Sequence, residues 1–169
     1  WGELRNIISG ATSIIGSGEV EGFMRNLDRM QQQEGLNQPA VEYETFPLGD
    51  SNGTQLASGC GYPSILTMQD IAGEDAFCPH VSEGIDAFAR NEFRCVGGTL
   101  VEPAAEDLLE PQSAFIHSLG LYPVDYARMA LEGTTAVWSP RSNISLCGDT
   151  AQMSVAHRLG VNIALGTDW

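Results

Sequence analysis

The chain has 169 residues, 43% of them hydrophobic, with 22 acidic side chains against 8 basic ones and a formal charge of −14. That length suits one domain and that composition an ordinary globular one, which excludes a disordered or collagen-like chain. The negative field repels phosphate backbones and anionic lipid heads, and no apolar run approaches the roughly 18 residues of a membrane helix, so neither nucleic acid nor a membrane is an expected partner.

In chain order, Trp1–Ser9 reads as the end of a helix that Gly10 stops, and Thr12–Ile15 as a short β-branched strand. Phe23, Leu27 and Met30 fall at helical spacing, which predicts an amphipathic helix over Val20–Gln33. Val41–Phe46 and Ala76–His80 are strand candidates. Gly84–Arg94 is a helix with Ile85, Phe88 and Ala89 on one face. Ala114–His117 is a strand, and Val124–Leu131 a helix with Tyr126, Ala127 and Ala130 inward. Thr135–Ser139 is a strand. Thr150–Leu159 is a helix with Asp149 as N-cap and Gly160 as its stop. Val161–Leu165 is the last strand. Leu48–Asp75 and Val96–Pro111 fit no element. The first of these is long for a β-to-α connection and reads as an insertion or an active-site loop.

Six short apolar strands alternating with helices predict an α/β fold around a parallel sheet covered on both faces. The chain starts at Trp1 and stops at Trp169 after an apolar run, so it reads as an internal piece of a longer protein. Every basic residue is Arg. Without Lys, a Schiff base, a phosphate-loop lysine and a carbamylated bridging lysine are all excluded within this stretch. Cys60, Cys78, Cys95 and Cys147 form no C-x-x-C pair, which argues against a zinc knuckle. They are expected as free, buried thiols, although two disulfides would suit an exported protein.

The candidate chemistry lies at strand ends. His80 and His117 close two strands, Asp168 follows the last, and Glu83 leaves the strand of His80. In a parallel barrel these ends meet on one face, where active sites are built. Each residue also has a plain reading: a hydrogen-bonded structural His, a helix-capping Asp, a solvated Glu. His157 reads as a surface residue, and Cys78 as packing beside His80 on the same strand face. Arg141 is a loop cation or a substrate clamp.

The ordered set His80-Val81-Ser82-Glu83, His117-Ser118-Leu119-Gly120, Ser139-Pro140-Arg141-Ser142-Asn143 and Leu165-Gly166-Thr167-Asp168 resembles the amidohydrolase superfamily. The branch it is most similar to is the mononuclear one, with purine and pterin deaminases, triazine chlorohydrolases and imidazolonepropionase. The resemblance is tightest over Phe77–Trp169. It implies a partial (β/α)8 TIM barrel spanning residues 1–169, about strands 3 to 8, without the first strands and the accessory β-domain. It also implies a single divalent metal, zinc in first place and iron as the other fit, held by His80 and Asp168. Asp168 would also take a proton from the attacking water, Glu83 would protonate the leaving or ring nitrogen, and His117 would bond the water or substrate oxygen. Ser142 and Asn143 would shape the site, and Arg141 and Asn143 are the candidates for binding substrate.

The implied activity is hydrolysis of non-peptide C–N bonds in a small cyclic or heteroaromatic substrate. Deamination is preferred over ring opening, because H-x-x-E suits protonating a ring nitrogen. The family's H-x-H pair is absent from this stretch, so the piece alone is expected to be inactive. The other reading is a catalytically dead barrel that serves as a binding or structural module. A doubly wound nucleotide fold ranks last, since no G-x-G-x-x-G follows a predicted strand. The cytoplasm is the default compartment, with export also compatible, and a homo-oligomer is left open.

Overall fold

A computed structural model describes residues 1–16 and 20–168. Helix α1 (Gly2–Ile8) comes first, and the chain leaves it through Gly10 at φ 94°. Strand β1 (Ser13–Ile14) pairs in parallel with β2 (Arg25–Asn26). The helix expected over residues 20–33 does not form. Gly22 has left-handed backbone at φ 82°, and its N–H is held by the Glu34 carboxylate at 2.7 Å. Phe23 and Met30 are exposed, while Met24 is buried. Only a 3-10 turn at Met30–Gln32 remains of the predicted helix.

Strands β3 (Glu42–Glu44), β4 (Phe77–Val81), β5 (Ala114–His117), β6 (Thr135–Trp138) and β7 (Asn162–Leu165) form one parallel sheet. Each strand lies beside the one before it in the chain. Parallel neighbours need a crossover, and helices occur in every one of them. These are α2 (Met68–Ile71), α3 (Ala87–Val96), α4 (Pro123–Glu132), then α5 (Pro140–Cys147) and α6 (Met153–Leu159) in the last crossover. The α/β class with a parallel sheet is as expected. Of the six predicted strands, five share this sheet and the Thr12–Ile15 segment does not. Among the described residues the sheet ends at β3 and β7 and does not close.

Local sequence accounts for the helix limits. Asp86 caps α3 by accepting from the N–H groups of Phe88 and Ala89. Pro123 opens α4, and Gly133 closes it at φ 76°, a backbone that glycine adopts without a Cβ clash. Helix α5 was not expected from the sequence. Its signal is the Ser139-Pro140 start with Gly148 at φ 76° after the end, the common asymmetry of Pro at the first turn and Gly past the last.

The core fills the space between the sheet and α3, α4 and α6. Phe77, Val81, Phe93, Phe115, Tyr126, Met129 and Ala156 are all fully buried. Phe93 and Phe115 meet edge to face with centroids 6.2 Å apart, a favoured aromatic geometry. Ile85 and Phe88 do not form the inner face of α3. They are 59% and 39% exposed; Ala89 is buried as expected, and Phe93 and Val96 complete the inner face. Strand β7 departs from the expectation of a sheet covered on both sides: all four of its residues are exposed.

The free-thiol expectation is corrected for two cysteines. Cys60 and Cys95 form a disulfide that ties the irregular 48–75 segment to α3. Leu48, Cys60, Tyr62 and Ile71 are buried, so that segment packs as part of the core. Cys78 and Cys147 are free thiols.

Candidate metal centre

Parallel register places the ends of β4 and β5 side by side, with His80 opposite Ile116 and Val81 opposite His117. Alternation sends Phe77 and Val81 into the core, and Cys78 and His80 to the other face, where both line a cavity. Strict alternation would send His117 the way of Phe115. Left-handed backbone at His117 (φ 75°) and Ser118 (φ 50°) ends the alternation there. The His117 ring stands 5.1 Å from that of His80, centroid to centroid.

Ser82 (φ 61°) and Asp168 (φ 56°) share this uncommon conformation, so it recurs after β4, β5 and β7. Such backbone costs roughly 1–3 kcal/mol per residue and persists only where neighbours hold it. Ser82 is held at three points. Its N–H donates to the Glu92 carboxylate at 3.0 Å, its hydroxyl accepts from Gly120 N–H at 3.2 Å, and its carbonyl accepts from Leu119 N–H at 3.0 Å. These bonds lock the exit of β4 to that of β5.

Both imidazoles have their orientation set from behind. His80 Nδ1 lies 3.3 Å from the Glu44 carbonyl oxygen, and His117 Nδ1 lies 3.3 Å from Asn143 Oδ1. A carbonyl oxygen only accepts, so with Nδ1 as donor each ring, when neutral, turns the Nε2 lone pair away from that contact. Burial, and next the neighbouring His117, hold His80 below its ordinary imidazole pKa. The rings of Tyr43 and His80 meet nearly at right angles, with centroids 5.4 Å apart.

His117 is 1% exposed, and its Nε2 is buried with no hydrogen-bond partner among the described residues. It faces Glu83 Oε2 at 3.5 Å and Asp168 Oδ2 at 4.0 Å. The Ser142 hydroxyl donates to that same Asp168 oxygen. Ligand atoms of His80, His117 and Asp168 all lie within 4.8 Å of one another. A lone pair and carboxylate oxygens that face one point repel unless a proton or a cation lies between them.

The sequence-predicted residues therefore divide. His80, His117 and Asp168 come together, and Glu83 stands beside them with a side chain 42% exposed. Asn143 is 1% exposed and lies behind His117. Arg141 is exposed on α5 and lines neither cavity described below. His157 is exposed, and Cys78 is buried, as expected. Sequence reasoning missed Tyr43, Glu92 and the placement of the Ser139 hydroxyl. Glu92 had a signal, because Ala89, Glu92, Phe93 and Val96 follow the i, i+3, i+4, i+7 spacing of one helix stripe.

Two cavities adjoin the cluster. One, of about 320 Å³, runs between the sheet and the β1–β2 pair and includes Ile14, Met24, Ile116, Val137, His80 and Asp168 in its wall. The other, of about 200 Å³, lies on the Glu83 side and includes Pro47, Asp50, His80 and Glu92. No helix among the described residues is long and apolar enough to cross a membrane.

No protein-family model matches the sequence, and no curated protein does. Solved structures do match. An adenosine deaminase from Xanthomonas campestris with bound zinc aligns at 20% identity over 56% of this chain and 21% of that chain, with a TM-score of 0.42. A triazine hydrolase variant aligns at 13% identity over 97% of this chain and 46% of that chain, with a TM-score of 0.48. The chain thus spans about a fifth and just under half of the lengths of these two proteins.

Proposed function

We propose that this chain carries part of a metal-dependent hydrolase site that acts on C–N bonds, other than peptide bonds, of a small cyclic or heteroaromatic substrate. The observation that carries the reading is that one ligand atom each from His80, His117 and Asp168 lies within 4.8 Å of the others. Residues 1–169 are taken as part of a parallel β/α barrel, with the site at the C-terminal ends of its strands. Two imidazole nitrogens and one carboxylate suit zinc, with iron(II) the other fit to the same donors. Zinc, when bound, supplies an acidified water, with a pKa near 7 in place of 15.7.

The remaining roles belong to the chain itself. Glu44 and Asn143 fix the two histidine rings from behind, in the way that outer partners orient metal ligands. Asp168, oriented by Ser142, accepts a proton from the attacking water. Glu83 reaches the solvent and the His117 edge together, so it can carry a proton to the departing nitrogen. Arg141 and Asn143 were the sequence candidates for holding substrate. In this reading Asn143 acts through His117, and no role in the reaction is given to Arg141.

The test is zinc titration of the wild-type chain and of His80→Ala, His117→Ala and Asp168→Asn. One zinc per chain is expected, with each substitution weakening it at least tenfold. Equal zinc affinity across all four proteins would sink the reading.

A further inference from the structure

Ser139 sits where a serine ordinarily caps a helix. It is the N-cap of α5, yet its side chain makes no capping hydrogen bond. Such a hydroxyl normally accepts from the N–H groups of the first turn. Here it is turned away from them. Ser139 is 1% exposed, its Oγ has no partner among the described residues, and it lines the 320 Å³ cavity.

A second observation concerns the space beside it. A Cβ on Gly166 would stand 2.7 Å from Ser139 Oγ and 3.1 Å from a Val137 methyl. The absence of a side chain at 166 leaves room beside the hydroxyl of a residue that lines the cavity. The walls nearby are apolar: Ile116 and Val137 from the sheet, Met24 and Ile14 from the small pair. Asp168 and His80 close one end of the same cavity. A flat, weakly polar molecule would contact those walls over its faces. Its edge would meet one hydroxyl, able to donate and to accept.

We propose that Ser139 is a specificity-determining residue, hydrogen-bonding an in-plane ring nitrogen or exocyclic polar atom of a flat heterocycle in this cavity. The inference deepens the metal-centre reading, since both concern one cavity, but its test is independent of metal. Buried hydroxyls left unpaired are disfavoured, so a site built this way discriminates against ring analogues without the matching atom.

The test compares 2-aminopyrimidine with aniline, which lacks the ring nitrogens, by amide NMR titration of the metal-free full chain. Wild type is expected to bind 2-aminopyrimidine about tenfold more tightly, the value of one good hydrogen bond, with shifts at Cys78, Ile116 and Gly166. Ser139→Ala should erase the difference and leave aniline unchanged. Gly166→Ala should weaken both probes by filling the space. Equal binding of the two probes by wild type, an undiminished preference in Ser139→Ala, or no shifts at the cavity residues would each overturn the proposal. Zinc titration of Ser139→Ala separates the two readings. Loss of ring discrimination with zinc binding intact concerns Ser139 alone. A wild-type chain that discriminates rings and binds no zinc refutes the metal centre and leaves Ser139 standing.

Discussion

Replacing Glu92 by Gln should remove a pH dependence of stability. The Glu92 carboxyl lies on the inner stripe of α3 and is pushed up from 4.5 to about 7. Burial is the main cause. The Ser82 N–H opposes it by favouring the anion, and the charges of Asp50, Glu83 and Asp86 add to the rise. Between those two values the native chain keeps a proton that the unfolded chain has released. The stability this confers is complete below about pH 4.5 and is lost as the pH rises through 7. At roughly 1.4 kcal/mol per pH unit the span corresponds to about 3 kcal/mol. That is a large share of the ~5–15 kcal/mol a domain has in total. Gln keeps an oxygen for the Ser82 N–H and never ionises. Urea unfolding at about pH 4.5 and pH 8.5 measures the effect. Repulsion within a chain of net charge −14 also lowers stability as pH rises, so the quantity to read is the difference between the two proteins. Wild type should lose about 3 kcal/mol more than Glu92→Gln over that range. Parallel pH curves for the two proteins would refute the reasoning.

Three further outcomes follow from single contacts. Asn143→Leu should weaken zinc binding about 10- to 100-fold in a chelator competition, because His117 loses the oxygen that fixes its tautomer. Replacing both Cys60 and Cys95 by Ala should cost about 4 kcal/mol in urea unfolding, the loop-closure value for cysteines 35 residues apart. Asp125→Ala should lower stability by about 1–2 kcal/mol in the same assay, through losing the capping bond to Tyr122 N–H and the pairing of a partly exposed Arg90. The Asp125 carboxylate takes two bonds from that guanidinium, at 2.8 and 3.2 Å, and another from Tyr122 N–H.

The legible parts of the sequence were those where local chemistry and packing agree. Ala114–His117 was readable to the residue, because four apolar or aromatic positions stand between turn signals and nothing competes. The C-terminal end of α6 was readable from Gly160, whose left-handed backbone admits few other residues, but its start was not: the helix begins at Met153 after Gln152, and Asp149 is not its N-cap. The convergence of His80, His117 and Asp168 was readable because parallel strands wound in one direction bring their C-terminal ends together. The 20–33 segment misled because Phe23, Leu27 and Met30 copy a helical period by chance. Gly22 and the distant Glu34 decide the backbone there, and no periodicity reports a contact between them. The Cys60–Cys95 bond was out of reach for a related reason, since pairing depends on where the 48–75 segment packs. Ser139 read only as the last residue of a strand, because the α5 helix that makes it an N-cap was not expected.

Strand β7 bears on the order in which the site comes apart. Among the described residues it pairs only with β6, and all four of its residues are exposed, whereas β5 is flanked on both sides. Edge elements of this kind open first in native-state hydrogen exchange. Asp168 follows β7 and depends on it, while His80 and His117 belong to interior strands. Transient fraying of β7 would therefore withdraw the carboxylate and leave the two imidazoles in place. A cation that needs all three groups binds only the closed edge and slows the exchange of Ile163 and Leu165 amides relative to those of β5. At a metal concentration of about 100 times Kd the slowing approaches a hundredfold. The ligand that follows the edge strand is thus also the one through which bound metal would stitch β7 to its neighbour.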